Sequence, residues 1–123
     1  MRPVNPMLVL VLGVYTVICG IWVIMPWGIV DPSVYYYVLK SASPEFIGAV
    51  HIGAGLMISI GSLTEQYMML RLGALVGFVN WFIFGVLFLL GDWTSLLGIT
   101  ALAVSAYCAA VAINIFINKE LYK

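Results

Sequence analysis

The sequence predicts an all-α integral membrane protein: four antiparallel transmembrane helices in a compact up-down bundle with one longer external loop. The first observation behind this prediction is composition, because 64% of the 123 residues are hydrophobic and 8% are charged. A soluble domain carries about 25% charged residues, so this chain lacks the charge to cover a water-facing surface. The net charge of zero does not favour nucleic acid as a partner. The lipid bilayer is the expected surrounding.

The second observation is the length of the apolar segments, which run over residues 7–26, 46–63, 68–91 and 96–117. Each approaches the roughly 20 residues that a helix needs to cross the hydrocarbon core. These segments must be helical because lipid cannot satisfy backbone hydrogen bonds. We interpret residues 1–123 as a single transmembrane domain. The first segment is expected to be a retained span, because its apolar run exceeds that of a signal peptide and no A-x-A-like site follows.

The third observation is the uneven length of the connections. SLTEQY and GDWTS are so short that the second, third and fourth segments are predicted to form antiparallel hairpins. The first connection is longer and contains DPSVYYYVLKSASPEF. Asp31 can cap a helix and Pro32 suits its first position, which favours a short amphipathic helix on the outer surface. The alternative is an irregular loop pinned by three tyrosines.

The charged residues predict the orientation. Four basic residues fall on the side of both termini, and Lys40 falls on the other. The positive-inside rule then places both termini in the cytoplasm, with the chain in the plasma (inner) membrane. The basic residues on the inner side are Arg2, Arg71, Lys119 and Lys123. The acidic residues predicted to form an external acidic mouth are Asp31, Glu45 and Asp92.

Each predicted helix carries one stripe of small residues. A helix turns by about 100° per residue, which puts residues three, four and seven apart on one face. Such faces let the backbones of membrane helices approach closely. We interpret them as the packing seams of a compact bundle, or of a bundle that also oligomerises. In chain order the seam residues are Gly13, Gly20, Gly48, Gly55, Ser59, Gly73, Gly77, Ala101 and Ala109.

The stretch GAVHIGAG contains the only histidine of the chain, His51, on the small-residue face of the second helix. With Asn80, Thr100 and Ser105 it forms a candidate polar site within the membrane. One interpretation is a proton or ligand site, because ionisable residues within a membrane are functional candidates. The other is a neutral imidazole that hydrogen-bonds across helices to Asn80, Ser105 or a backbone carbonyl. We favour the second, because no acidic partner is predicted within the spans.

The sequence carries no enzyme or cofactor signature. One histidine and two dispersed cysteines cannot build a metal site, and no nucleophile has a nearby base. The glycines lie inside spans and do not form a phosphate-binding loop. We therefore predict a protein that is not an enzyme, with no catalytic residue, no metal ligand and no cofactor. Cys19 and Cys108 are expected to behave as small apolar residues without a disulfide.

The leading functional hypothesis is a small non-enzymatic protein that acts through helix packing, either with itself or with a larger membrane protein. It would be a self-assembling or accessory subunit of a membrane complex. The first alternative is an oligomeric pore or holin-like permeability protein, by analogy of size and hydropathy. The second is a small proton- or cation-coupled channel or carrier that uses His51, although no inverted repeat supports a transporter fold.

Overall fold

The computed structural model describes residues 5–25, 43–91 and 96–117. The described residues form four α-helices: α1 Pro6–Ile24, α2 Pro44–Leu63, α3 Tyr67–Gly91 and α4 Leu96–Ile117. Each of these helices is long and apolar enough to cross a membrane. The predicted all-α class and the four apolar spans are therefore confirmed. Every helix end lies within two residues of its predicted position.

Proline opens each of the first two helices, directly after a capping residue. The side-chain oxygen of Asn5 accepts a hydrogen bond from the backbone N–H of Met7 at 2.9 Å. The hydroxyl of Ser43 accepts one from the backbone N–H of Phe46 at 3.2 Å. Proline costs nothing at the first helical position, because the N–H it lacks would have no partner within the helix. Pro44 therefore begins α2 two residues before the apolar segment.

The turn between α2 and α3 has the form of a Schellman cap. Glu65 has a φ of 56°, in the left-handed region. The backbone N–H of Gln66 donates to the carbonyl oxygen of Gly61 at 2.9 Å, which satisfies a carbonyl at the end of α2. Glycine is the usual residue in the left-handed position, and a residue with a Cβ there costs roughly 1 kcal/mol.

The closest helix pairs are consecutive in the chain: α1 with α2, α2 with α3, and α3 with α4. Between α1 and α2, Gly13 lies against Gly55 and Ser59, and Gly20 lies against Gly48. The glycines are seven residues apart on both helices, which is about two helical turns. We call this contact the α1–α2 glycine contact.

No side chain fits into the α1–α2 glycine contact. A Cβ on Gly20 would lie 2.7 Å from the carbonyl oxygen of Gly48, and one on Gly55 would lie 2.6 Å from the carbonyl oxygen of Gly13. These atoms belong to the backbone, so they cannot turn aside as a flexible side chain can. The two helices approach this closely only because glycine occupies these positions.

The two glycines of the GALVG motif on α3 have different surroundings: Gly73 lies against α2, whereas Gly77 lies against both α4 and α2. A Cβ on Gly73 would lie 3.0 Å from the backbone nitrogen of Ile58 on α2. A Cβ on Gly77 would lie 3.2 Å from the sulfur of Cys108 on α4 and 3.6 Å from a side-chain carbon of Ile58. The GxxxG motif therefore does not form one interface; its glycines contribute to two.

Helices α1 and α4 are not among the closest pairs, and they border two hollows. Both hollows are lined by Tyr15 from α1 and Thr100 from α4, so the upper hollow, which extends towards Trp22, adjoins the lower hollow, which extends towards Leu8. We call the two hollows together the α1–α4 crevice. It distinguishes the bundle from one in which the first and last helices close against each other.

Several sequence predictions fall outside the described residues. They concern the proposed interfacial helix after Asp31, the capping of α4 by residues in GDWTS, and most of the charges that predict orientation. The residues concerned include Arg2, Asp31, Lys40, Asp92, Lys119 and Lys123.

Candidate functional site

His51 on α2 is fully buried, with an exposed fraction of 0%. Its Nδ1 lies 3.0 Å from the carbonyl oxygen of Ile47, one turn earlier on the same helix. The amide nitrogen of Asn80 on α3 lies 2.7 Å from Nδ1 and 3.3 Å from Nε2. The Ile47 carbonyl oxygen can only accept and the Asn80 amide nitrogen can only donate, so Nδ1 donates to Ile47 in the tautomer that carries its proton there and accepts from Asn80 in the other. His51 thereby joins α2 to α3.

Aromatic rings of α3 surround the imidazole. The centroid of the His51 ring lies 4.7 Å from that of Trp81 and 5.1 Å from that of Phe84, at interplanar angles of 74° and 69°. Phe84 in turn meets Phe88 at 4.5 Å and 90°. All three contacts are edge-to-face, the geometry in which the positive edge of one ring meets the negative face of another. The imidazole is thus held in a largely apolar setting.

Trp81 makes a second connection between helices. Its Nε1 donates to the hydroxyl of Thr16 on α1 at 3.3 Å, and this hydroxyl donates to the carbonyl oxygen of Leu12 at 2.9 Å. The adjacent residues Asn80 and Trp81 therefore bond to different helices, one to α2 and the other to α1. We call His51, Asn80, Trp81 and Thr16 the polar cluster.

The other two residues of the candidate site have different partners. Ser105 is buried, and its hydroxyl donates to the carbonyl oxygen of Phe78 at 3.0 Å, which ties α4 to α3. Thr100 is exposed and donates to the carbonyl oxygen of Leu96 on its own helix at 2.7 Å. Of the residues proposed from the sequence, the structure brings Asn80 to His51, whereas Ser105 and Thr100 bond to backbone carbonyls.

A cavity of about 220 Å³ lies beside the polar cluster, at the upper part of the α1–α4 crevice. His51 and Trp81 form part of its wall, together with Phe84 and Phe88. Helices α1 and α4 form its sides and contribute, among others, Tyr15, Trp22, Leu97, Thr100 and Ala101. No charged side chain of the described residues lines it, so the cavity combines aromatic rings with a few neutral polar groups.

Most predicted seam residues lie at helix contacts. Gly13, Gly20, Gly48, Gly55, Ser59, Gly73, Gly77 and Ala101 are buried, and Ala109 is half-buried. Within the described residues, the buried hydroxyl of Ser59 has no hydrogen-bond partner. Ser59 lies directly opposite Gly13. It therefore serves the α1–α2 glycine contact by its small size and not by a hydrogen bond.

Sequence reasoning missed part of the site and part of the packing. The hydrogen bond from Trp81 to Thr16 was not predicted from the sequence. Gly61 and Gly85 were not assigned to a seam, yet a Cβ on Gly61 would lie 2.7 Å from the backbone nitrogen of Leu70. Gly85 is eight residues after Gly77, which turns it about 80° away around the helix and outside the predicted stripe.

Of the three residues of the predicted external acidic mouth, one lies within the described residues. Glu45 is exposed in the first turn of α2, where a carboxylate interacts favourably with the positive end of the helix dipole. Asp31 and Asp92 lie outside the described residues. The two cysteines are free, Cys19 half-buried in the cavity wall and Cys108 buried.

Compared with models of protein families, with curated proteins and with solved structures, the chain matches none. Among the described residues, no three His, Cys, Asp or Glu side chains gather in a way that could hold a metal ion. The observations that bear on function are therefore the helix packing, the polar cluster and the crevice.

Proposed function

We propose that the protein is a small non-enzymatic polytopic membrane protein that acts through helix packing, as a self-assembling or accessory subunit of a membrane complex. In this proposal the helices cross the plasma (inner) membrane with both termini in the cytoplasm. Neighbouring helices run antiparallel, which is supported by the pairing of Gly13 with Gly55 and of Gly20 with Gly48. The excess of basic residues on the side of the termini supports the orientation.

The observation that carries this proposal is the exposure of Gly53 in the middle of α2. A Cβ on Gly53 would meet no atom of the described residues within 4 Å. Glycine inside a helix costs about 1 kcal/mol relative to alanine, and no close packing at Gly53 within the described part of one copy offsets this cost. Ala49, one turn earlier, is exposed as well. The two residues form a small-xxx-small pair that faces away from the bundle, where another helix can approach closely.

A second pair of exposed small residues allows two kinds of assembly between copies of the chain, a dimer and a ring. Ala106 and Ala110, also four residues apart, are exposed on α4. Two copies that join through their α2 faces would form a closed dimer. Contacts of the α2 face of one copy with the α4 face of the next would instead be head-to-tail and could close into a ring. The ring is the arrangement that the pore or holin-like alternative requires.

Hydrogen bonding in the polar cluster and at Ser105 favours a packing role over the carrier alternative. His51 bonds to Ile47 and Asn80, and Ser105 bonds to the carbonyl of Phe78. These groups join α2, α3 and α4 to one another. Polar residues that connect membrane helices in this way stabilise a bundle.

Disulfide crosslinking in membranes tests the proposal. In a background with Cys19→Ala and Cys108→Ala, we expect Gly53→Cys to give crosslinked chains after mild oxidation. Val79→Cys is the matched control, because Val79 is exposed on α3 with no small-residue pair around it. Crosslinking at Gly53 that does not exceed crosslinking at Val79, together with a strictly monomeric protein and no bound partner in native mass spectrometry, would overturn the proposal.

Inducible expression with a dye-leakage readout separates the accessory role from the pore. We expect no leakage from cells or vesicles that contain the protein at high density. Leakage that disappears in Gly53→Leu would instead support the ring and the holin-like alternative.

A further inference from the structure

We propose that the α1–α4 crevice binds a neutral membrane lipid with a planar ring head and an isoprenoid tail, of the class of the prenylated quinones. The ring head occupies the cavity beside His51, and the tail lies along the lower part of the crevice. The exposed Gly53 face used in the proposed function is not part of this crevice, so the two proposals stand or fall separately.

The size and lining of the cavity suit a single substituted ring. An apolar cavity of about 150 Å³ is known to admit benzene, so the roughly 220 Å³ beside His51 has space for one ring with small substituents. Trp81, Phe84 and Phe88 provide aromatic faces and edges on one side. Edge-to-face and offset-stacked contacts with these rings favour a planar aromatic or quinonoid head over a flexible hydrocarbon chain.

The described residues that line the cavity carry no charge, which favours a neutral ligand. An ionised head would lose its hydration in the cavity without gaining a partner of opposite charge, which is costly. Tyr15 and Thr100 place two hydroxyl-bearing side chains where the cavity joins the lower hollow. An oxygen substituent of a quinone ring accepts hydrogen bonds, and the Tyr15 hydroxyl can donate one to it, whereas the Thr100 hydroxyl already donates to Leu96. The arrangement therefore fits a ring that carries oxygen atoms but no net charge.

The lower hollow supplies a path for the tail. It measures about 440 Å³ and is lined mainly by aliphatic side chains, including Leu8, Leu12 and Val104. On α1 the lining of the two hollows extends from Leu8 to Val23, which corresponds to about 22 Å along the helix axis. This length accommodates several isoprene units beside the ring. The crevice lies between two helices on the outside of the bundle, so a membrane lipid can enter from the side.

Quenching of tryptophan fluorescence tests the proposal on the full chain in lipid nanodiscs. The probe is a dimethoxy-methyl benzoquinone that carries two isoprene units, because a quinone in contact with an indole quenches its emission, and both Trp22 and Trp81 line the cavity. We expect saturable quenching by this probe and only a weak, linear effect of the same ring without a tail. A prenyl alcohol with the same tail and no ring is expected to displace the probe poorly.

Three substitutions test whether the probe binds in the cavity. Ala101→Leu adds a side chain to the cavity, and we expect it to weaken binding of the probe about tenfold, as the loss of ring contacts predicts. Leu97→Phe places a ring over the exposed side of the cavity and should have a similar effect without changing the core. Ile99→Phe is the matched control, because Ile99 is exposed on the same helix and lines neither hollow. The control variant should bind the probe as tightly as the unaltered chain does.

Linear quenching of the unaltered chain, or equal quenching in Leu97→Phe and Ile99→Phe, would overturn the proposal. Equal displacement by the ringless prenyl alcohol would also overturn it, since the crevice would then be a site for any hydrocarbon chain. Circular dichroism of each variant establishes that it is folded. If Ala101→Leu does not fold, Leu97→Phe alone decides the outcome.

Discussion

Helix α1 meets its two neighbours in opposite ways. Towards α2 it presents Gly13 and Gly20, and the two backbones touch. Towards α4 it presents Tyr15 and Trp22, and a crevice remains. Lipid provides little hydrophobic drive between helices, so the separation of two membrane helices depends on the side chains that stand between them. The comparison shows that one helix can combine a tight structural contact on one face with a potential binding surface on another.

The largest expected effect is a break in the α1–α2 glycine contact. Gly55→Ala places a Cβ against the carbonyl oxygen of Gly13, and we expect the free energy of unfolding to fall by about 2–3 kcal/mol. The matched control is Gly53→Ala, two residues away, where a Cβ meets nothing within 4 Å. There the better helix propensity of alanine should raise the free energy of unfolding by up to about 1 kcal/mol. Unfolding in detergent, at a dilution that keeps the chain monomeric, measures both; equal changes would contradict the prediction.

A smaller loss is expected where a side-chain hydrogen bond joins α2 to α3. Asn80→Leu removes the amide that contacts the His51 ring, and we expect a loss of about 1 kcal/mol in the free energy of unfolding. Thr100→Val serves as the control, because the Thr100 hydroxyl bonds only within α4. The same unfolding assay should show little change for Thr100→Val. A larger loss for Thr100→Val than for Asn80→Leu would show that the polar cluster does not hold these helices together.

The hydrogen bond between Trp81 and Thr16 joins α3 to α1 on the side of α1 that adjoins the crevice. Trp81→Phe removes the indole N–H but keeps a ring in place, and Thr16→Val keeps the shape of the threonine without its hydroxyl. We expect each change to lower the free energy of unfolding, with a coupling of about 0.6 kcal/mol between them in a double-mutant cycle. Strictly additive effects would mean that the hydrogen bond contributes nothing.

The smallest expected effect separates two buried serines. Ser105→Ala removes a hydrogen bond to the backbone of α3, and the free energy of unfolding should fall by about 0.6 kcal/mol. Ser59→Ala removes a hydroxyl that has no described partner, so we expect no loss and a slight gain. Thermal unfolding of both variants in one detergent measures the difference. A greater loss at Ser59 would indicate that its hydroxyl does have a partner in the membrane.

Much of the fold follows from local features of the sequence. The four apolar spans depend on length and composition, which are properties of each segment by itself. The starts of α1 and α2 follow from a capping residue and a proline that are neighbours in the chain. The helical period also indicates which residues share a face, as with Gly48, His51 and Gly55. None of these features requires knowledge of another helix.

Only the tertiary structure determines which helix each of these faces contacts. Gly73 and Gly77 share a stripe, yet Gly73 contacts α2 whereas Gly77 also contacts α4. The adjacent Asn80 and Trp81 bond to α2 and α1. Within GAVHIGAG, His51 and Gly55 lie against other helices whereas Gly53 faces outward. A sequence period assigns a residue to a direction around its own helix axis. Which helix lies in that direction, and how closely, depends on the simultaneous packing of all four helices, and this decided that α1 touches α2 and leaves a crevice towards α4.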